Sequence, residues 1–132
     1  MKRLLLVTAV LEAGIGIGLL VVPSAVAQIL LGAPLELPAA LTVARVAGVA
    51  LLALGVACWL AAFDSQSCAA RGVASAMVIY NLGAAIILGV AGIQSARAGI
   101  GVWPAVFLHV AMAGWCIMNL LGQRNQELEQ DR

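Results

Sequence analysis

Four long runs of apolar residues, separated by short segments that contain proline or polar residues, dominate the pattern along this chain. A helix needs roughly 20 apolar residues to cross the hydrocarbon core of a bilayer, and each run is about that long. The pattern therefore predicts an all-α membrane protein with one transmembrane domain over residues 1–132. Its four transmembrane helices cover residues 4–22, 38–62, 72–93 and 103–121.

The segment between the first two runs is also apolar but is too short to span a membrane. Ser24 is a favourable N-cap and Gly32 a favourable stop, which predicts a short interfacial helix over residues 24–31. Two interpretations stay open for it: a flap over a cavity between the helices, or a loop packed on the end of the bundle. The polar tail, residues 123–132, is expected to be frayed helix or disordered.

The other two connections are about nine residues each, which makes neighbouring helices antiparallel and predicts an up-down-up-down bundle. Basic residues then fall unequally on the two sides of the membrane. One side collects Lys2, Arg3, Arg71, Arg124 and Arg132, whereas the other has only Arg97. Because positive charge favours the cytoplasmic side, we expect both termini in the cytoplasm of a bacterium, with the protein in its inner membrane.

The first run has a second interpretation as a cleaved secretory signal. Met1-Lys2-Arg3 precedes the apolar stretch, and Ala25-Val26-Ala27 imitates a cleavage site. Two features favour a retained helix instead. The run has 19 residues, which is longer than a typical signal core, and Glu12 lies in its middle.

Composition excludes several classes of protein. The chain is 64% hydrophobic and 10% charged, more apolar than a soluble domain of this size can bury. It has no Gly-rich phosphate loop, nucleophile elbow or histidine–metal helix motif, so we expect neither an enzyme nor a bound cofactor. A few terminal basic residues do not predict nucleic-acid binding. The three cysteines are not placed for a structural disulfide.

Small residues mark the helix faces that pack together. Spacings of four residues join Gly14 to Gly18, Ala44 to Gly48, and Ala85 to Gly89. In lipid, helices associate through close packing, which small residues allow. These pairs predict packed faces, either within one chain or between copies in a homo-oligomer or a larger membrane complex.

Each predicted helix carries one strongly polar residue: Glu12, Arg45, Asn81 and His109. At helical rise, Glu12 lies roughly 15 Å and Arg45 roughly 9 Å below the outer boundary, so a long arginine side chain can reach the carboxylate. We therefore expect a buried Glu12–Arg45 ion pair, flanked by Tyr80, Asn81 and His109. Such a cluster either fixes helix register or binds a ligand, and the residues alone leave both open.

His109, Met112 and Cys116 share one face of the fourth helix, and these side chains are acceptable copper ligands. Met and Cys in an apolar helix usually pack, however, and the chain has no second histidine and no Cys-x-x-Cys pair. Packing is therefore the favoured interpretation, and no metal is predicted.

Three runs resemble those of uncharacterised small four-helix bacterial inner-membrane proteins, which are similar in layout to the DoxX-like membrane proteins. They are the stretch from Ala44 to Gly55, Tyr80-Asn81-Leu-Gly, and Leu108-His109. The resemblance implies a fold and a bacterial membrane location without an assigned activity. Small multidrug-resistance transporters also have four helices and a glutamate in the first, but the charge bias and Arg45 depart from them.

Two classes of function follow. The first is a non-enzymatic membrane protein, either an accessory subunit or a binding module for a lipid, quinone or other apolar ligand. The alternative is a small oligomeric proton- or ion-coupled transporter or channel that uses Glu12. A dry ion pair at Glu12 favours the first class, and a water-filled cavity that reaches it favours the second.

Overall fold

A computed structural model of the protein describes residues 1–95 and 99–130, and within these ranges it contains five helices and no strand. Four of the helices are long and apolar enough to cross a membrane. Arg97 and Arg132, which entered the charge comparison, lie outside the described residues. The five helices are α1 Lys2–Val21, α2 Pro23–Leu31, α3 Pro38–Ala61, α4 Cys68–Gln94 and α5 Val102–Gln130.

Helix α2 begins one residue before the predicted start, because Pro23 occupies its first turn and Val22 is its N-cap. Proline suits this position because its φ is fixed near the helical value and its missing N–H is not needed there. The expectation that Ser24 caps the helix is therefore wrong. Its hydroxyl instead accepts a hydrogen bond from the Leu35 N–H, at 3.0 Å. Gly32 ends α2 as predicted, and it adopts the left-handed conformation with a φ of 80°.

Two helices are longer than the apolar runs that predicted them. Helix α4 begins at Cys68, because the Ser67 hydroxyl accepts a hydrogen bond from the Ala70 N–H at 3.1 Å and caps it. Helix α5 continues through the polar tail to Gln130. The tail contains no proline and, after Gly122, no glycine, so nothing in its sequence stops the helix.

Contacts at the two ends of the bundle establish the up-down-up-down topology. At one end, the Gln123 amide donates to the Ser65 carbonyl oxygen at 3.1 Å. Met1 lies at this end too, because it lines the same cleft of about 390 Å³ as Gln123. At the opposite end, the Gly101 N–H donates to the Ile29 carbonyl oxygen at 2.9 Å. The short helix α2 is thus held across that end by the connection that leads into α5.

The bundle consists of two closely packed helix pairs, α1 with α3 and α4 with α5. In the first pair two backbones meet: a Cβ on Gly16 would lie 2.8 Å from the Gly48 carbonyl oxygen. Of the predicted small-residue pair on α1, Gly14 faces open space, so the packing glycine is Gly16, which lies between the two predicted positions. Close packing of this kind needs residues without side chains.

Most of the buried apolar side chains lie towards the end that holds Met1. Leu4, Leu5, Cys58, Met77 and Cys116 belong to this core, and all four long helices contribute to it. The large apolar side chains on the outer faces of the helices are exposed, which is typical of helices that face lipid. Glu12, Asn81 and His109 follow this core along their helices, towards the opposite end of the bundle.

Candidate functional site

Four polar side chains from three helices line one cavity between the two helix pairs. Its volume is about 140 Å³, and the remaining lining side chains are apolar. Helix α1 contributes Glu12, helix α4 contributes Tyr80 and Asn81, and helix α5 contributes His109. The apolar lining residues are Leu11, Ile15, Leu30, Leu88, Ala105, Leu108 and Met112.

Asn81 holds His109 in a defined orientation. The Asn81 side-chain amide donates to the Met77 carbonyl oxygen at 2.8 Å, which fixes its Oδ1 towards Nδ1 of His109, also at 2.8 Å. Because Oδ1 can only accept, we assign the proton of the neutral imidazole to Nδ1. The Nε2 atom of His109, which is one of the lining residues, is then a hydrogen-bond acceptor.

Tyr80 connects the histidine to the glutamate. Its ring meets the His109 ring edge to face, with centroids 5.6 Å apart and planes at 80°. Its hydroxyl is the hydrogen-bonding group that faces the Glu12 carboxylate. The four polar residues thus form one continuous set from Glu12 through Tyr80 and His109 to Asn81.

Glu12 is only 7% exposed, and the packing of α1 on α3 explains how it fits there. Gly55 lies opposite it, and a Cβ on Gly55 would be 3.6 Å from the Glu12 Cβ. One turn earlier on the same face, the Thr8 hydroxyl is buried and has no hydrogen-bond partner among the described residues. Thr8 was not among the predicted site residues, although its i, i+4 spacing from Glu12 places the two side chains on one face of α1.

The predicted ion pair between Glu12 and Arg45 is not formed, and Arg45 does not line the cavity. Its side chain is exposed on α3. Because Gly55 lies opposite Glu12, Arg45 is ten residues away along α3, about 15 Å at helical rise. The prediction failed because it treated the outer ends of α1 and α3 as level, whereas the Gly16–Gly48 contact offsets them.

The cavity is covered at one end by helix α2 and is open on one side. Leu30 of α2 contributes to its lining, so the short helix covers the end of the cavity that lies away from Met1. Among the lining residues, only Ile15 and Leu108 are exposed, at 48% and 44% respectively. These two side chains lie on α1 and α5, which touch only sparsely. The cavity therefore opens sideways between α1 and α5.

The three residues considered as copper ligands do not share one environment. His109 and Met112 both line the cavity, whereas Cys116 is 1% exposed and belongs to the apolar core. Within residues 1–95 and 99–130, no three His, Cys, Asp or Glu side chains are grouped so that they would hold a metal ion. Packing accounts for the position of Cys116.

Comparison of the chain with models of protein families, with curated proteins and with solved structures finds no match.

Proposed function

We propose that this protein is a non-enzymatic multi-pass membrane protein that binds a small ring-containing ligand, of which a quinone head group is the best example. The observation that carries the proposal is the convergence of Glu12, Tyr80, Asn81 and His109 on one otherwise apolar cavity. Ligand sites in proteins are typically apolar with a few converging polar groups. Binding at this site would suit either an independent carrier module or an accessory subunit of a larger membrane complex.

The size of the cavity supports a single ring. An apolar cavity of about 150 Å³ in a protein interior accommodates benzene, and this one measures about 140 Å³. A diacyl lipid does not fit in that volume, although an attached chain would extend through the open side between Ile15 and Leu108. A ring with an apolar tail therefore matches both the cavity and its opening.

The polar groups support a ligand with carbonyl or hydroxyl oxygens. Nε2 of His109 is an acceptor for a hydroxyl group, and the Tyr80 hydroxyl is a donor for a carbonyl oxygen when it turns from Glu12 to the ligand. The reduced and oxidised forms of a quinone carry these two groups. A buried polar group without a hydrogen-bond partner costs about 1–3 kcal/mol. A ligand that forms hydrogen bonds with the polar groups of the cavity should therefore bind more tightly than an apolar ring of the same size.

Thermal unfolding of the purified protein in detergent, with and without a decyl-substituted benzoquinone, tests this proposal. Ligand at about 100 times its Kd stabilises a protein by about 2.7 kcal/mol, so we expect a clear rise in Tm. His109→Phe should remove most of that rise, because phenylalanine keeps the ring but has no hydrogen-bonding nitrogen.

Asn119→Leu is the matched control, since Asn119 lies on the same helix outside the cavity and its side-chain amide donates to the Trp115 carbonyl oxygen. This variant should keep the full ligand response. The absence of a Tm rise in the native protein, or an equal rise in His109→Phe, would contradict binding of a quinone in this cavity.

A second candidate function is proton- or ion-coupled transport through Glu12. One observation favours it: Arg45, the cation that was expected to neutralise Glu12, does not reach it. A carboxylate at membrane depth without a paired cation is a common feature of ion pathways. The interior of proteoliposomes that contain the protein should then become acidic when a proton gradient is imposed across their membrane. Glu12→Gln should abolish this proton flux. An unchanged proton flux in the variant would exclude this mechanism.

For the location of the protein we propose a bacterial inner membrane with both termini in the cytoplasm, as the resemblance to DoxX-like proteins and the distribution of basic residues imply. Two spans, α1 and α3, separate Met1 from the loop before α4, so both should lie on the same side of the membrane. In agreement with this, they lie at the same end of the bundle.

Cysteine labelling tests this orientation without any substitution. Cys68 is exposed, whereas Cys58 and Cys116 are buried. A membrane-impermeant maleimide should label Cys68 in inverted inner-membrane vesicles and leave it unlabelled in intact spheroplasts. Labelling from the outside of spheroplasts would reverse the proposed topology.

A further inference from the structure

Helix α5 has two faces, of which only one is used by the bundle. Met112 and Cys116 on the inner face are buried. The opposite face carries residues at alternating spacings of three and four, and all of them are exposed. This stripe, which we call the α5 seam, consists of Ala111, Gly114, Met118, Leu121, Asn125 and Leu128.

The spacing of the α5 seam is that of a heptad repeat. Ala111, Met118 and Asn125 take position a, and Gly114, Leu121 and Leu128 take position d. A repeat of 3.5 residues per turn keeps one stripe facing a partner helix when two helices form a left-handed supercoil. Lipid contact alone does not require such a regular stripe.

The first two residues of the seam, Ala111 and Gly114, are small. A Cβ on Gly114 would meet no atom within 4 Å, so the space in front of this glycine is open. Small residues at a helix interface in lipid allow two backbones to approach closely. Ala111 precedes Gly114 on the seam, which makes this the flattest part of the stripe.

Towards the C-terminus, the seam changes to the features of a soluble coiled coil. Leu128 is 56% exposed although it lies among polar residues of the tail. Asn125 occupies an a position, where a single asparagine fixes the register and the number of helices. Arg124 takes position g and Glu129 takes position e of the next heptad, both exposed.

The charges at Arg124 and Glu129 indicate what covers the seam. They lie five residues apart, and a g residue meets the e residue five positions further on only when the partner helix is parallel and in register. Two copies of this chain inserted with the same topology present parallel α5 helices. Each Arg124 would then face Glu129 of the other copy, which gives two opposite-charge contacts per pair.

We propose that the protein is a parallel homodimer in which the α5 seams of two copies pack against each other. Small residues bring the helices together at membrane depth, and Leu128, the paired Asn125 side chains and the Arg124–Glu129 contacts hold the tails in register. The ligand cavity lies on the other side of α5, so this interface is separate from the proposed binding site.

Disulfide cross-linking in native membranes tests the interface. In a Cys68→Ser background, Leu128→Cys should give a covalent dimer under mild oxidation. Gln126→Cys is the matched control, because Gln126 is also exposed on the tail but lies at position b, away from the seam. Strong cross-linking of the first and little of the second is the expected result; equal yields, or no dimer with Leu128→Cys, would overturn the proposal.

Two further variants test the contacts by the fraction of dimer measured with fluorescence transfer in lipid vesicles. Gly114→Leu should reduce that fraction at least tenfold, whereas Gly14→Leu on α1, which also faces open space, should leave it unchanged. Arg124→Glu should weaken the dimer, and the double variant Arg124→Glu with Glu129→Arg should restore it. Failure of the double variant to recover would exclude this register.

Discussion

Helix α1 meets its neighbours in two different ways. On the side of α3, Gly16 and Gly48 bring two backbones into contact, with no space for a Cβ at either position. On the side of α4 and α5, close approaches are few, and side chains around a cavity make the contact. The first face fixes where α1 lies, and the second leaves a space whose chemistry depends on Glu12. The packing face and the cavity face are therefore neighbours on one helix, and Glu12 lies where they meet.

The largest effect should come from filling the glycine contact. In Gly16→Leu, the new Cβ would lie 2.8 Å from the Gly48 carbonyl oxygen, a backbone atom that cannot move without shifting α3. We expect a loss of about 3 kcal/mol, the upper part of the range for overpacking. Gly14→Leu is the control, because its Cβ meets open space and should change stability little. Chemical unfolding in mixed micelles measures both, and equal losses would contradict the assignment of Gly16 as the packing residue.

A smaller effect concerns which residue is coupled to Glu12. Contacting residues show interaction energies of about 0.5–3 kcal/mol in double-mutant cycles, whereas distant residues are additive. We expect about 1 kcal/mol of coupling between Glu12→Gln and Tyr80→Phe, because the Tyr80 hydroxyl faces the carboxylate. The cycle of Glu12→Gln with Arg45→Leu should be additive. Coupling to Arg45 but not to Tyr80 would restore the ion pair that the sequence suggested.

The smallest effect should come from the bond that orients His109. Polar contacts between membrane helices contribute about 0.6 kcal/mol on average, and we expect this coupling between Asn81→Leu and His109→Phe. Ligand binding should suffer more than stability in the Asn81→Leu variant, because His109 then loses the acceptor that fixes its Nδ1 proton. Full ligand response in Asn81→Leu would show that the orientation of the imidazole does not matter.

The sequence predicts the fold well because membrane crossing depends on local hydropathy. The first three predicted spans agree with the observed helices to within four residues at each end, the fourth starts correctly to within one residue, and Gly32 marked the end of α2 correctly. The errors occurred where polar residues continue a helix, as in the tail of α5, or where proline displaces a cap, as at Ser24. Hydropathy identifies the segments that are apolar enough to lie in lipid, but it does not identify the residue at which a helix ends.

The site was predicted less completely, because its geometry depends on the relative heights of helices. Glu12, Tyr80, Asn81 and His109 were identified by polarity alone, and they line one cavity. Arg45 was assigned to the same cluster from its depth below a helix end. Axial offset between α1 and α3 is set by the Gly16–Gly48 contact, and no feature of either helix alone encodes it.

The sideways opening between Ile15 and Leu108 has a consequence for any measurement of affinity. A ligand that enters there first dissolves among the acyl chains, so its concentration in the bilayer, and not in the buffer, determines occupancy. The apparent Kd should then fall as the tail of the ligand becomes longer and partitions more strongly. It should rise when empty vesicles are added, because they dilute the ligand across more lipid without touching the protein.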